Sequence, residues 1–294
     1  MSDASGRILL LPFPPGCRVT QLVRREKRFT AVTVDPATGA ELRAHTNNTG
    51  SMLGLLRSGT PALLSPAPPP RKNGPDRVLK WTLEALALPG APLNDSALVL
   101  PEPAAALKGP MTEPQGPWVG VNTLTPNRLL EAAFRAGLLP EAHGYAHLAR
   151  EAKTGASRLD ALITPEEGSG LPPLYVECKN VTLVLGDQAQ FPDAATERGR
   201  KHLAELTRLV HEGCRAALFF LVQRPDGGFF APAEAIDPDY ARALAVALGA
   251  GVEAWVWRAS ITGPGTGAGI SLAERLPLAP AWAALQRPKE HPLK

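Results

Sequence analysis

Between Glu151 and Asn180 the sequence reads EAKTGASRLDALITPEEGSGLPPLYVECKN, and three of its residues have the types and spacing to do chemistry. Glu177 and Lys179 stand two apart in Leu174-Tyr175-Val176-Glu177-Cys178-Lys179, and Asp160 lies in Arg158-Leu159-Asp160-Ala161-Leu162-Ile163. Both runs have the composition of short strands, joined by a polar loop rich in Gly and Pro. Side chains alternate along a strand, so Glu177 and Lys179 share one face while Val176 and Cys178 take the other. If the strands pair as a hairpin, Asp160 converges on the same edge. Two carboxylates would then offer oxygen ligands to a hard cation, and the ammonium would position or activate a water. An aspartate, a loop and glutamate-x-lysine form the core of a metal-dependent phosphodiesterase site. The plain structural alternative is an i,i+2 ion pair on a solvated strand face, and spacing alone leaves both readings open.

The elements that must position these residues begin at Trp118. Thr125 is an N-cap residue with Pro126 at N1, and Leu129, Leu130, Ala133 and Phe134 carry helical spacing up to Gly137. Glu131 falls mid-helix, either exposed or as a third acidic group facing the strands. Tyr145 to Lys153 reads as a strand leading into the pair. Ala194 to Glu212 is an amphipathic helix with Leu203, Leu206, Leu209 and Val210 on one side. A buried strand follows at Arg215 to Gln223, then a helix from Asp237 to Leu248 capped by Asp237, and a last strand at Val252 to Arg258. Helix, three strands, helix, strand, helix, strand describes an α/β sheet covered on both faces.

The amino-terminal part reads differently. Val19 to Val23, Phe29 to Val34 and Glu41 to His45 are short strands at close spacing, with a turn at Asp35-Pro36-Ala37-Thr38-Gly39, which suggests a small barrel. Met1 to Pro15 reads as a leader. Pro61 to Pro75 is a Pro-rich loop with Arg71 and Lys72 at its tip, and Pro89 to Pro117 is again rich in Pro, Ala and Gly. The expected organisation is a basic barrel over 1–88, a linker or insert over 89–117, an α/β domain over 118–275 and a Pro-rich tail over 276–294.

Charge divides along the same line. Residues 1–80 hold 12 Lys and Arg against 5 Asp and Glu, whereas the whole chain is only +3. A basic module on a slightly acidic remainder points to a polyanionic partner. Arg24, Arg25, Lys27 and Arg28 cluster at a strand junction, as either a solubilising edge or a nucleic-acid contact. Thr196 to His202 is a second polar concentration. Glu197 and Lys201 are spaced for an i,i+4 pair, while Arg198, Arg200, Lys201 and His202 crowd a helix start that favours anions. Residues 1–80 contain only Phe13 and Phe29 as aromatics, so a grip on nucleic acid would run mainly through phosphates.

Several classes fall away. Cys17, Cys178 and Cys214 form no C-x-x-C pair and no even framework, which argues against a disulfide scaffold or zinc site and for a reducing cytoplasm. His143 and His147 are four apart, but Gly144 interrupts the helix a metal pair would need. The glycine-rich run from Gly263 lacks the Lys and Ser/Thr of a P-loop and reads as a flexible loop, and no G-x-S-x-G elbow occurs. Apolar runs are too short for a signal-peptide core or a membrane span.

Longer matches then carry a resemblance. LVRREKRFTAVTV, NNTGSM, VGVNTLTPNRLLEAAF, EAKTGASRLDALI, YVECKNVTL and FPDAATERGRKHLAEL resemble, in order, the sugar fermentation stimulation protein family. The resemblance implies an OB-like amino-terminal barrel followed by a PD-(D/E)xK nuclease-like α/β domain with a mixed sheet. It places Glu131 on the first core helix, Asp160 on the second core strand, Glu177 and Lys179 on the third, and Arg198 and Lys201 on the next helix. Thr46-Asn47 stands where the family usually has Cys-Pro, and the Pro-rich segments before Arg71 and over 89–117 also depart from the pattern. The family is associated with DNA binding and regulation of sugar-utilisation genes. The expectation is a cytoplasmic, nucleic-acid-binding phosphodiesterase using Mg²⁺ or Mn²⁺, with DNA as substrate, Asp160 and Glu177 as ligands, and Lys179 and Glu131 as further catalytic members. Arg24, Arg25, Lys27, Arg28, Arg71, Lys72, Arg198 and Lys201 would contact the nucleic acid. The alternative is a DNA-binding regulator whose acidic site is structural.

Overall fold

The computed structural model describes residues 6–69, 78–88, 117–155, 157–265 and 267–286. Two compact units emerge: Met1–Thr125 with Gln223–Pro225 and Ser260–Ser271, and Pro126–Val222 with Asp226–Ala259 and Leu272–Lys294.

The first unit holds β1 (Leu9–Pro12), β2 (Arg18–Glu26), β3 (Thr30–Val34), β4 (Glu41–His45), β5 (Pro61–Pro66), β6 (Trp81–Ala87) and β7 (Trp118–Gly120). Strands β2 to β6 close into a five-stranded barrel, ordered β4-β3-β2-β5-β6, with a parallel β4–β6 pairing completing the ring. That closure is what an OB barrel requires, and it leaves no free edge among these five strands. Inward residues fill it: Leu22, Ala31, Ala44, Leu64, Leu83 and Leu86 form an apolar core with Met52 and Leu55. The expected leader is not loose throughout, since β1 runs antiparallel to Gly269–Ser271. The expected start of the second domain at residue 118 also shifts, because Trp118–Gly120 pairs with Ala85–Ala87 as β7 and the contact boundary falls after Thr125. Of the expected linker over 89–117, only Pro117 lies among the described residues. Arg71 and Lys72 also lie outside them.

The second unit begins with α1 (Thr125–Arg135), followed by β8 (Tyr145–Thr154), β9 (Ser157–Pro165) and β10 (Leu174–Val181). After these come β11 (Leu183–Leu185), β12 (Gln188–Phe191), α2 (Glu197–His211), β13 (Arg215–Val222) and β14 (Phe229–Pro232). The series closes with α3 (Pro238–Ala250), β15 (Glu253–Thr262), β16 (Gly269–Arg275) and α4 (Pro280–Ala283). The main sheet is mixed, in the order β16-β15-β13-β10-β9-β8. Strands β10, β13 and β15 are mutually parallel, and β8, β9 and β10 form an antiparallel meander. Ala216 to Val222 are all fully buried, so both faces of this alternating strand are covered. Strands β11, β12 and β14 make a second small sheet, and β16 extends the main one. The sequence reading passes over all four: three are only three or four residues long, and β16 lies beyond a glycine-rich run that looks like an end.

Helices α2 and α3 lay Leu203, Leu206, Leu209, Tyr240, Leu244 and Leu248 on Leu218, Phe220 and Val256 of the sheet. Gly199 permits their close approach, because a Cβ there would stand 2.7 Å from Thr196 Cγ2 and 3.1 Å from Tyr240 Cε2. Asp237 caps α3 as its sequence predicts, accepting from Tyr240 N at 2.9 Å, and its other oxygen accepts from Thr196 N, the N-cap of α2, at 2.8 Å. One carboxylate thus fixes the starts of both helices. The expected tail is partly ordered: Leu276 is buried, and Leu278 and Trp282 pack against the same core.

Phe220 is the keystone of this cluster, with its ring 4.2 Å from Phe230 and 6.1 Å from Phe191. Phe220→Ala is expected to cost about 3–5 kcal/mol, the range for emptying a fully buried aromatic site. Urea unfolding of the two proteins checks this, and a loss below about 1 kcal/mol is outside the range a rigid core allows.

Candidate active site

Strand β10 is central, between β9 and β13, and carries Glu177 and Lys179 on one face. Both are buried, at 4% and 8% exposure, in a ladder where apolar residues are the rule. Charges so placed require partners. Lys179 Nζ donates to Glu177 Oε1 at 2.6 Å. From α2, the imidazole Nδ1 of His202 closes on the same oxygen. Among the described residues, both donors converge on Oε1 and none reaches Oε2. Burial pushes the Glu177 carboxyl up, but the Lys179 ammonium and His202 outweigh it and hold it below the usual range. Glu177 is therefore ionised, and Nδ1 of His202 acts as a donor to it.

Asp160 stands where β9 and β10 part. Their backbone pairing covers Leu174–Val176, and beyond it Asp160 Oδ2 accepts from Cys178 N at 2.8 Å, standing in for a ladder carbonyl. The other oxygen, Oδ1, accepts from Asn127 Nδ2 of α1 at 2.6 Å. Burial raises the Asp160 carboxyl above its ordinary value, with the Glu177 charge adding to it, against opposition from Cys178 N–H, Asn127 and Lys179. The two acids and the lysine thus form one electrostatically coupled cluster. Directly across β8, Glu151 lies between the ladder partners of Ala161 and Leu159 and has φ 56°. A non-glycine residue in that region costs of order 1–3 kcal/mol and persists only where its surroundings enforce it.

Glu131 lies one turn along α1 from Asn127, and its carboxylate turns to Arg135 at 2.6 Å and Arg150 of β8 at 3.8 Å. Among the described residues no group of three or more His, Cys, Asp or Glu side chains is set to hold a metal. The oxygen donors of the cluster are those of Asp160 and Glu177. Two carboxylates are a sparse set, of the kind that suits a hard divalent cation retaining several waters.

The cationic residues separate. Lys201 pairs with Glu197 at 2.8 Å, as its i,i+4 spacing requires, and Arg200 with Asp237 at 3.2 Å. Arg198 is exposed with no ion pair among the described residues, whereas His202, grouped with these by sequence, is buried against Glu177. In the first unit Arg24 pairs with Glu26 at 2.7 Å. Arg25 turns back onto backbone carbonyls, while Lys27 and Arg28 stand exposed.

Asn127 escaped the sequence reading, and His202 entered it only as part of an anion-favouring helix start, not as a partner of Glu177. Both had a helical signal. Asn127 is i,i+4 to Glu131, and His202 falls on the inward stripe of Gly199, Leu203 and Leu206.

The raised Asp160 carboxyl makes a prediction with a definite sign. Its protonated form is favoured by folding, so its contribution is fullest below its ordinary value of 3.8 and is lost as pH rises through the higher folded value. Asp160→Asn, permanently neutral, should therefore raise the thermal midpoint of the metal-free protein at pH 7. Scans in EDTA should show the gain shrink and vanish as pH falls below 3.8. Asn keeps one acceptor oxygen for the Cys178 N–H and meets Asn127 only if that amide turns its oxygen inward, so the pH dependence carries the test. A midpoint difference between the two proteins that does not change with pH contradicts the coupling.

Comparison with known proteins places these features. Residues 23–93 match the model of the SfsA N-terminal OB domain, and residues 124–265 that of the sugar fermentation stimulation protein RE domain. A sugar fermentation stimulation protein homolog of Maridesulfovibrio salexigens is 48% identical over 92% of this chain and 97% of its own. The Lawsonia intracellularis homolog is 46% identical over 92% and 97%. A solved structure of Pyrococcus furiosus SfsA in complex with Ca²⁺ matches with a TM-score of 0.72 at 25% identity, over 92% of this chain and 99% of that one. With a closed OB barrel, a mixed α/β sheet and this breadth of identity, the chain belongs to the sugar fermentation stimulation protein family.

Proposed function

We propose that this protein binds nucleic acid and hydrolyses its phosphodiester bonds with a divalent cation, DNA being the expected substrate. The observation that carries the reading is the coupling of Asp160 with Glu177 beside the Lys179 ammonium. Asp160 is half-buried, its proton affinity raised by desolvation and then by the charge of the buried Glu177, and a cation held between the two carboxylates would relieve that repulsion. Membership of a family with an OB domain and the basic first 80 residues support nucleic acid as the partner. The Ca²⁺ carried by the Pyrococcus furiosus relative supports a divalent cation. Mg²⁺ or Mn²⁺ is the expected working ion.

Asp160 and Glu177 would hold that ion, Glu177 through Oε2, since Oε1 is occupied by Lys179 and His202. When bound, a hard divalent cation supplies Lewis-acid polarisation of a phosphoryl oxygen and lowers the pKa of a bound water. The chain's own groups do the rest. Asn127 and the Cys178 N–H fix the Asp160 carboxylate, so little reorganisation is needed at the moment of reaction. Lys179, fixed by Glu177, directs a positive charge at the developing phosphorane or orients the attacking water. Glu131 stands at the margin, bound to two arginines, as a weaker member. Exposed Lys27, Arg28 and Arg198 would meet phosphates, as would Arg71 and Lys72. Three free thiols suit a reducing cytoplasm, and among the described residues no helix is long and apolar enough to cross a membrane.

One observation favours a second reading, a DNA-binding regulator without catalysis: Lys179 is already satisfied by Glu177. Metal-dependent cleavage separates the two. Wild type should cleave single- or double-stranded DNA with Mg²⁺ or Mn²⁺ and not in EDTA. Lys179→Ala should slow cleavage by about 10²–10³-fold at saturating metal, the cost of removing one group that stabilises developing charge. It should weaken metal-free binding far less. Asp160→Asn should lose metal affinity and cleavage while metal-free DNA binding holds or tightens. Binding without cleavage by wild type on every substrate decides for the regulator.

A further inference from the structure

The turn between β2 and β3 is built from residues that suit a fold poorly. Phe29 N donates to Glu26 O at 3.2 Å, closing a tight turn through Lys27 and Arg28. Lys27 has φ 47° and Arg28 φ 62°, the left-handed region that turns normally fill with Asn, Asp or Gly. The conformation is imposed from below. Arg25 sends Nε and one terminal nitrogen to the Arg28 carbonyl at 3.1 and 2.9 Å, and reaches the carbonyls of Asn48 at 2.5 Å and Gly50 at 2.8 Å. Its guanidinium therefore rivets the turn to the neighbouring loop.

What the turn presents is equally unusual. Phe29 is a large apolar side chain left 52% exposed. Lys27 and Arg28 beside it are exposed and make no side-chain hydrogen bond or ion pair among the described residues. An aromatic face flanked by two unpaired cations on a braced support matches a nucleotide, whose base stacks and whose phosphates are anionic.

We propose that the Lys27-Arg28-Phe29 turn is a nucleic-acid contact in which the Phe29 ring stacks on an unpaired base while Lys27 and Arg28 hold the flanking phosphates. Arg25 is a positioning residue beneath it and not a contact. The proposal rests on the nucleic-acid-binding reading and adds a stacking element to a grip otherwise expected to run mainly through phosphates. Residues with a Cβ occupy left-handed positions here because their side chains meet the ligand, at a cost to the fold.

Binding of the full-length protein to a 15-mer of deoxythymidine and to a blunt duplex, both in EDTA across a salt series, tests this. Phe29→Ala should weaken single-strand binding by about tenfold or more, the usual effect of removing one stacked base, with the salt slope unchanged and the duplex little affected. Phe29→Tyr should bind like wild type. The paired change Lys27→Asn with Arg28→Gly should raise the thermal midpoint, because it relieves the turn, and flatten the single-strand salt slope by about 1.4, or 0.7 per lost phosphate contact. The proposal is overturned if Phe29→Ala binds the single strand like wild type, or loses as much on the duplex. It is equally overturned if the paired change keeps the wild-type slope. Wild type that binds neither nucleic acid removes the parent reading and this one together, whereas binding untouched by these variants removes this one alone.

Discussion

Everything near the candidate site follows from carrying an ionised glutamate and a lysine through the middle of a buried strand. Neither Glu177 nor Lys179 has appreciable access to water, so each must find its counter-charge inside the protein. They find one another, but an i,i+2 pair along a strand does not use all the hydrogen-bonding capacity of a carboxylate. His202 is brought in from α2 to share Oε1, which fixes the carboxylate's orientation. The second acid is held independently, by a strand N–H on one oxygen and a side-chain amide on the other. Each acid is positioned by donors from the protein itself, so the geometry of the cluster is set by the fold.

The apolar architecture serves that constraint. α2 can deliver a buried histidine to β10 only if it lies close to the sheet and its axial position is fixed. Gly199 supplies the close approach to α3, and Asp237 fixes both helix starts. The aromatic cluster of Phe191, Phe220, Phe230 and Tyr240 fills the space beneath. Parallel pairing of β10 with β13 sets Glu177 beside Leu218 and Lys179 beside Phe220, so the charges sit in low-dielectric surroundings. There an ion pair or a bound cation acts more strongly than at a surface.

In the barrel the economy is different. Closure through the parallel β4–β6 pairing removes its edges, and inward apolar residues provide the core. A buried polar chain reinforces it: Glu84 accepts from Ser65 Oγ at 2.6 Å and Asn122 Nδ2 at 2.8 Å, and Asn122 accepts from Asn47 Nδ2 at 2.8 Å. Every member has a partner, so the chain holds the Asn47 loop without leaving a buried group unsatisfied. Among the described residues, non-glycine backbone in the left-handed region occurs at three places, the Lys27-Arg28 turn, Met52 of the barrel core and Glu151 opposite Asp160. The first is the turn proposed to meet nucleic acid, the second serves the barrel core, and the third faces the candidate site.

Local physics made a definite part of this legible from sequence. Alternation on a strand put Glu177 and Lys179 on one face, helical spacing paired Glu197 with Lys201, and Asp237 declared itself as a cap. Clustered short strands with glycine turns announced a small barrel. Those signals depend on neighbours a few residues away, which is why one chain of letters contains them. What depended on distant partners was not legible. The pairing of β1 with Gly269–Ser271, and of β7 with β6, joins segments whose spacing in sequence carries no period. Arg25 looked like its basic neighbours, yet turned inward to three backbone carbonyls supplied by loops on either side. His202 read as part of a phosphate-facing cluster and became the partner of a buried acid 25 residues away, while Asn127 reached Asp160 across 33. Residue type and local period determined which side chains could do chemistry. Tertiary packing decided which of them are desolvated together, because burial and long-range hydrogen bonding exist only once the sheet and its helices have closed.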